Sequence, residues 1–450
     1  MKPGRTAQQH AFRTTPAKYG FGNGTSRGIG MQQSVAQKII ARAAGRDSVE
    51  PGEYVFVTPS FTVCQEISWP ARKAIMQRAG AATVARPEKT AFVVDHTTAA
   101  GMGTGYHLAH KEMKEFAQAN GAHFFGAGSG LRHLVMVENG FARPGALVFS
   151  DEPNIANIGV VGALNIAISS EVVVTQVTEQ NWMMVPRPAR VRLTGQLKPG
   201  VTARDFVQVL IRDFAAGDIL SQTCIEYEGP AIADLSLDER QSILACTYHS
   251  GADTALMPVD EKALAWLKDR APDGDYTIFT ADPDTEWVHS ADYDLSTLTP
   301  MVTVPPELHN AVPVDQVAGR KIHQAAIGSC ASSRLYDLRV AASILKGRKI
   351  ASDITFYITP GSREIYAAAA REGLLEIFMQ AGATVLAPGC TTCWGYQGVL
   401  NAGEVQISTH QMNYRGRNGS RDSFSFLSSP YVVAASAVTG VITDPREILS

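Results

Sequence analysis

The spacing of apolar residues switches between helical and strand periods along most of this chain. In "MQQSVAQKIIARAAG", Val35, Ile39, Ile40 and Ala43 recur at helical spacing and a glycine closes the run. "EYVFVT" then reads as a strand, "WPARKAIMQRAG" as a helix, "AFVVDH" as a strand and "YHLAHKEMKEFAQANG" as a helix. That alternation predicts an α/β protein whose helices cover a largely parallel sheet. It resumes in "RPARVRLTGQLKPGVTARDFVQVLIRDFAAG", a strand, a Pro/Gly turn and an amphipathic helix. The acidic, proline-bearing stretch "APDGDYTIFTADPDTEWVHSADYDLSTLTPMVTVPP" reads as a surface connection into a third unit. There "KIHQAAIGSC" is a short apolar strand, and "ASSRLYDLRVAASILKG" a helix with Leu338, Ala341, Ala342 and Leu345 on one face. "ITFYITPGS" and "REIYAAAAREGLLEIFMQAG" repeat strand then helix, and "ATVLAPGC" is a further strand. The expected boundaries are an arm over residues 1–29 and α/β domains over 30–185, 186–300 and 301–450.

Bulk properties narrow the classes. A 450-residue chain exceeds one ordinary core, so two or three domains are expected. A net charge of -3 argues against a dedicated nucleic-acid binder, which needs a basic surface. No apolar run is long enough to span a bilayer and no signal-peptide pattern opens the chain, so a cytoplasmic protein without a membrane partner is expected. Six scattered cysteines do not make a disulfide scaffold. The first 46 residues contain no Asp or Glu, and the segment up to "GNGTSRGIG" reads as a basic, flexible arm, solvated or used in subunit contact.

The candidate chemistry lies in "APGCTTCWGYQG". Cys390 and Cys393 form a Cys-x-x-Cys pair, which suits half a zinc site, a thiol–disulfide couple or two ligands of an iron–sulfur cluster. Two unrelated thiols near a turn fit as well. Cys330 follows the strand of "KIHQAAIGSC", so all three cysteines fall just past the carboxyl ends of expected strands, where open α/β sheets place ligands. Three thiolates in one crevice would leave one iron of a cubane cluster open, able to act as a Lewis acid.

"IGSCASSRLYDLRVAASILKGRKI", "PGCTTCWG" and "MNYRGRNGSRDSFSFLSSPYVVAASAVTGVITD" resemble the aconitase family in order and spacing, in particular the large subunits of 3-isopropylmalate dehydratase. "GMQQSVAQKIIARAAG", "VVDHTTAA", "VENGFARPGALVFSD" and "IEYEGPAIADLSLDERQSI" agree. The resemblance implies three α/β domains around a central cluster cleft, lacking the swivelling fourth domain, which a separate small subunit would supply together with the base that removes a carbon-bound proton. It implies a [4Fe-4S] cluster on Cys330, Cys390 and Cys393. It also implies a general acid in His96, paired with Asp95, support of the cluster pocket by His133 and Asp151, and carboxylate binding by Arg417.

Departures from the family pattern point to the substrate. Asp151-Glu152-Pro153-Asn154 stands where the family usually reads Asp-Ser-His-Thr. His249 stands where a glutamate normally lies near the open iron, Ser332 lies in a segment missing its usual amide, and Gln411-Met412 replaces Asn-Arg. Losing one charged hydrogen bond to a substrate carboxylate costs about 1.5–3 kcal/mol, roughly ten- to a hundred-fold in binding. Glu152 would add repulsion. The expected function is an iron–sulfur hydro-lyase, dehydratase or isomerase, acting on a small hydroxy acid other than isopropylmalate, citrate or homocitrate. The alternative is a non-catalytic or cluster-sensing binding protein derived from the same family.

Overall fold

The computed structural model describes residues 32–99, 101 and 103–449. The basic arm expected over residues 1–29 lies outside the described residues. Three main sheets follow one another along the chain. The first orders its strands His123–Phe125, Thr90–Val93, Phe61–Gln65, Leu147–Ser150 and Leu164–Ala167, all parallel. In the second, Thr254–Leu256, Thr223–Glu228, Arg187–Thr194 and His289–Asp294 are again parallel. The third runs Ala311–Pro313, Met301–Thr303, Phe424–Ser428, Val405–Ser408, Gln324–Ile327, Thr355–Ile358 and Thr384–Val385. Its last five strands are parallel and its first two antiparallel.

Parallel neighbours need long crossovers, and helices supply them, so the central strands are covered on both faces. Gln324–Ile327 and Leu147–Ser150 are buried at every residue. Helix Leu335–Leu345 packs Leu338, Ala341, Ala342 and Leu345 onto Ile327, Phe356 and Ile407 of the third sheet, using the face its spacing predicts. Val63, Val93 and Val148 of the first sheet share a core with Val191, Leu193 and Ile225 of the second. Among the described residues no helix is long and apolar enough to cross a membrane.

Four local readings are corrected. "EYVFVT" forms a strand, Tyr54–Val57, but outside the parallel sheet: it pairs antiparallel with Asn181–Met184 in a ribbon. The neighbouring Phe61–Gln65 takes the central position, because four of its five residues are buried whereas Tyr54 and Phe56 face solvent. The acidic stretch is more than a connection, since His289–Asp294 is an edge strand of the second sheet with one exposed face. "REIYAAAAREGLLEIFMQAG" breaks into helices Arg363–Arg371 and Leu374–Ala381 at Gly373, whose φ of 72° cannot continue a helix. The strand in "ATVLAPGC" is only Thr384–Val385, leaving a longer loop before Cys390.

The first and third sheets meet through backbone. Gly130 bridges Ser362, and Leu131 N donates to Gly361 O at 2.8 Å. Ser362 Oγ donates to Glu138 Oε1 at 2.5 Å. Burial, only partly offset by that bond, pushes the Glu138 carboxyl up to about 7. An acid that titrates higher folded than unfolded lowers stability as pH rises between the two pKa values, here from about 4.5 to about 7. Glu138→Gln, which keeps an acceptor for Ser362, is expected to remove a penalty of about 3 kcal/mol at pH 8 and none at pH 4. Denaturant melts at both pH values check this, and equal shifts at the two would contradict it.

Candidate active site

The site gathers at the carboxyl ends of strands from the first and third sheets. Strand Gln324–Ile327 ends in Gly328, Ser329 and Cys330. Gly328 N donates to Thr409 Oγ1 at 3.0 Å, which ties this loop to the one leaving Val405–Ser408. Ser329 has a φ of 72°, rare for a residue with a Cβ, and its hydroxyl donates to Thr409 O and accepts from Ala331 N. That tight turn fixes where Cys330 points. Strands Gln324–Ile327 and Val405–Ser408 are neighbours at which the order of the third sheet reverses, the place where such sheets bind ligands.

Thr384–Val385 leads to the second loop. A Cβ on Gly389 would lie 2.5 Å from Thr98 Oγ1, so only glycine lets this loop meet the first sheet. There Cys390 N donates to Asp95 O at 2.6 Å. Cys330, Cys390 and Cys393 are nearly fully buried, free of disulfides, and share one small cluster with Leu131, Leu134 and Ala245. The Cys390 thiol and the Arg417 guanidinium pull Cys393 well below an ordinary thiol, while burial pushes Cys330 well above one.

Opposite the thiols, Glu66 accepts from the backbone N–H groups of Asp95, His96 and Thr97 at 3.2, 2.8 and 2.6 Å. Those bonds present Asp95 and His96 just past strand Thr90–Val93. Asp95 Oδ1 lies 2.8 Å from His96 Nδ1, leaving Nε2 as the nitrogen for chemistry. Arg132, fully buried, donates to both Asp95 oxygens at 2.8 and 3.0 Å. Burial would raise Asp95, but Arg132 and then His96 hold it down at about 2. Burial also works against a charge on His96, yet the Asp95 carboxylate outweighs it and raises the imidazole.

The remaining expected residues fall around this centre in different roles. Glu152 pairs with Arg132, and these contacts hold its carboxyl far below the usual range despite burial. His133 Nε2 is 3.5 Å from Glu152 Oε2 without hydrogen-bond geometry, and both ring nitrogens are otherwise unpartnered. One ligand atom each from His133, Glu152 and Cys330 lies within 4.8 Å of the others. Asp151 is held by an ion pair with Arg72 and a bond from Gln65 N at 3.0 Å, and lies 3.5 Å from Arg132 Nε. Gln411 donates to Cys330 Sγ at 3.1 Å and Ala245 O at 3.2 Å. Met412 is half-buried and Ser332 buried with its hydroxyl unpartnered. Asn154 Nδ2 lies 3.3 Å from His249 Nε2, and burial reinforced by Arg204 pushes His249 down to about 4, leaving it neutral. Arg417 donates from Nε to Cys393 O at 2.7 Å and stacks 4.4 Å from the Trp394 ring centre.

Arg132, Glu66 and Trp394 escape the sequence reading. Arg132 adjoins His133 in "LRHLVMVENG", and Glu66 directly follows strand Phe61–Gln65, which the sequence reading did not pick out. The donor set suits a cluster on three thiolates. Three buried sulfurs lie together, an amide N–H meets one of them, and orphaned polar atoms of His133, Ser332 and Gln411 face no protein partner.

The family model that matches is the aconitase family (aconitate hydratase), over residues 37–321 and 313–440. The chain is 34% identical over 424 residues to the 3-isopropylmalate dehydratase large subunit 1 of Pyrococcus furiosus, covering 92% of this chain and 99% of that one. It is 34% identical over 423 residues to the large subunit from Clostridium kluyveri, covering 93% and 100%. Aconitase X of Thermococcus kodakaraensis, in a holo-form crystal structure, shares the fold at a TM-score of 0.50 and 11% identity, over 79% of this chain and 84% of that one. With its parallel sheets and its three thiols at their carboxyl ends, the chain belongs to the aconitase family of hydro-lyases.

Proposed function

We propose that this chain is the large subunit of an iron–sulfur-dependent hydro-lyase that acts on a small hydroxy acid and is completed by a separate small subunit. The observation that carries the reading is the junction of Cys390 N with Asp95 O at 2.6 Å, which sets three buried thiols against the Asp95–His96 pair. Cys330, Cys390 and Cys393 would hold a [4Fe-4S] cluster. Bound there, the cluster would supply Lewis acidity at the iron no cysteine holds. The large-subunit naming of the relatives supports a separate small partner.

His96 holds a proton at Nε2, kept available by the charge of Asp95, and delivers it to the departing hydroxyl. Asp95 stays ionised throughout because Arg132 is fixed against both of its oxygens. Arg417, anchored by the Cys393 carbonyl, binds a substrate carboxylate. Gln411 and Met412 bring no second cation, which supports a substrate with fewer carboxylates than citrate, or with an apolar group in place of one.

Iron and sulfide analysis of the anaerobically purified pair of subunits should give about four irons per large chain, and mild oxidation a three-iron paramagnetic signal. Cys390→Ala should lose both, whereas zinc in their place would sink the cluster assignment. His96→Asn is expected to keep the iron and to lower kcat about 10²- to 10⁴-fold. Steady-state kinetics check that; an unchanged kcat would remove His96 as the acid. Among hydroxy acids assayed with the assembled enzyme, 3-isopropylmalate and citrate should be turned over at least tenfold less efficiently than the best substrate, the loss of one charged contact. Efficient turnover of either contradicts the substrate proposal.

A further inference from the structure

Trp394 follows the last cysteine, and its indole touches two groups that reach the site from different sheets. Its ring lies nearly perpendicular to His96, at 83° with centroids 5.1 Å apart. On the other contact, the Arg417 guanidinium carbon sits 4.4 Å from the ring centre. His96 comes from the loop after strand Thr90–Val93 of the first sheet, and Arg417 from the segment beyond strand Val405–Ser408 of the third. Between them Trp394 is held by its own loop: its N–H donates to Cys390 O at 3.0 Å, and Gly395 fits so closely that a Cβ would lie 2.5 Å from Arg417 O. The Arg417 cation is thus fastened at four points, to Cys393 O, to Cys393 Sγ, to the indole face and to Tyr414 Oη.

We propose that Trp394 is a positioning residue that sets the separation and orientation of the proton donor His96 and the carboxylate-binding Arg417. The inference rests on the hydro-lyase reading for the roles of those two residues. Asp95 fixes one nitrogen of His96, and the indole adds a second contact to the imidazole, edge to face. A guanidinium with free torsions would bind a carboxylate at a range of distances from the acid; stacked on the indole it presents one. Trp394 is 39% exposed, so its role is to bound the cleft rather than to fill a core.

The test compares Trp394→Leu and Trp394→Phe with the wild type. It uses the assembled, cluster-loaded enzyme, counts iron and sulfide in each, and titrates malate into each large chain by calorimetry. With iron unchanged, Trp394→Leu should raise KM and the malate Kd about tenfold as the stack is lost. It should also lower kcat about ten- to a hundredfold through misplacement of the acid. Trp394→Phe, which keeps an aromatic face, should stay within about threefold of wild type in all three. Unchanged KM, kcat and Kd in a fully loaded Trp394→Leu enzyme overturn the proposal. Loss of the cluster in that variant overturns it too, by assigning the indole to the cysteine loop alone. A loaded wild type that dehydrates no hydroxy acid refutes the hydro-lyase reading instead. The malate titration then decides: tenfold weaker binding by Trp394→Leu sustains the Arg417 contact, and equal or no binding in both chains overturns it.

Discussion

The arrangement of the site depends on one buried guanidinium. Arg132 is wholly removed from water, and burial alone would disfavour its charge. It stays charged because Asp95, Glu152 and Asp151 surround it, and these raise its pKa further. Each carboxylate belongs to a different consequence. Through Asp95, Arg132 keeps an ionised partner behind His96; through Glu152, it holds an otherwise repulsive charge; through Asp151, it ties in Arg72 beneath strand Phe61–Gln65. Removing such a cation would leave buried carboxylates without a partner, a loss of about 3–5 kcal/mol. The geometry of His96, the proposed proton donor, and the stability of the first sheet therefore share a cause.

Glu66 does for the backbone what Arg132 does for the side chains. Its carboxylate collects three consecutive N–H groups at the end of strand Thr90–Val93, which the ladder can no longer satisfy. The turn carrying Asp95 and His96 is thereby fixed from below, while Cys390 N caps the Asp95 carbonyl from above. A loop pinned from both sides can hold an acid in one orientation, as a reaction centre requires.

Much of this was legible in the chain. Cysteines placed just beyond strand ends, and an Asp-His pair in the same position of an earlier strand, declare a site because parallel α/β sheets present ligand groups there. The helical face of Leu338, Ala341, Ala342 and Leu345 could be read because burial enforces its spacing. Arg132 could not, since a buried arginine looks like a surface arginine until its partners, twenty and thirty-seven residues away, are known. Strand His289–Asp294 was hidden for a related reason: as an edge strand with a solvated face it needs few apolar residues, and its composition resembles a loop. The ribbon strand Tyr54–Val57 misled in the opposite direction only as to its sheet, being apolar throughout yet exposed at Tyr54 and Phe56.

Electrostatic commitment also bears on what the cleft can bind. Counting arginines suggests a strongly cationic pocket, and carboxylates engage only part of that charge. Arg132 answers three carboxylates, whereas Arg334 donates from Nη1 to Ala331 O and leaves Nε and Nη2 without a protein partner. Arg204 donates to Cys246 Sγ at 3.1 Å and His410 O at 2.7 Å. His249 and His410 are both held near 4 by burial and so carry no charge at neutral pH. Glu152, for its part, is neutralised by Arg132 rather than left to repel an anion, so it neither attracts nor strongly excludes a carboxylate. Arg417 remains the cation nearest the thiols whose partners, a carbonyl, a hydroxyl and aromatic faces, are all uncharged apart from Cys393. A guanidinium beside the thiols without a carboxylate partner is the group that the proposed substrate carboxylate would meet.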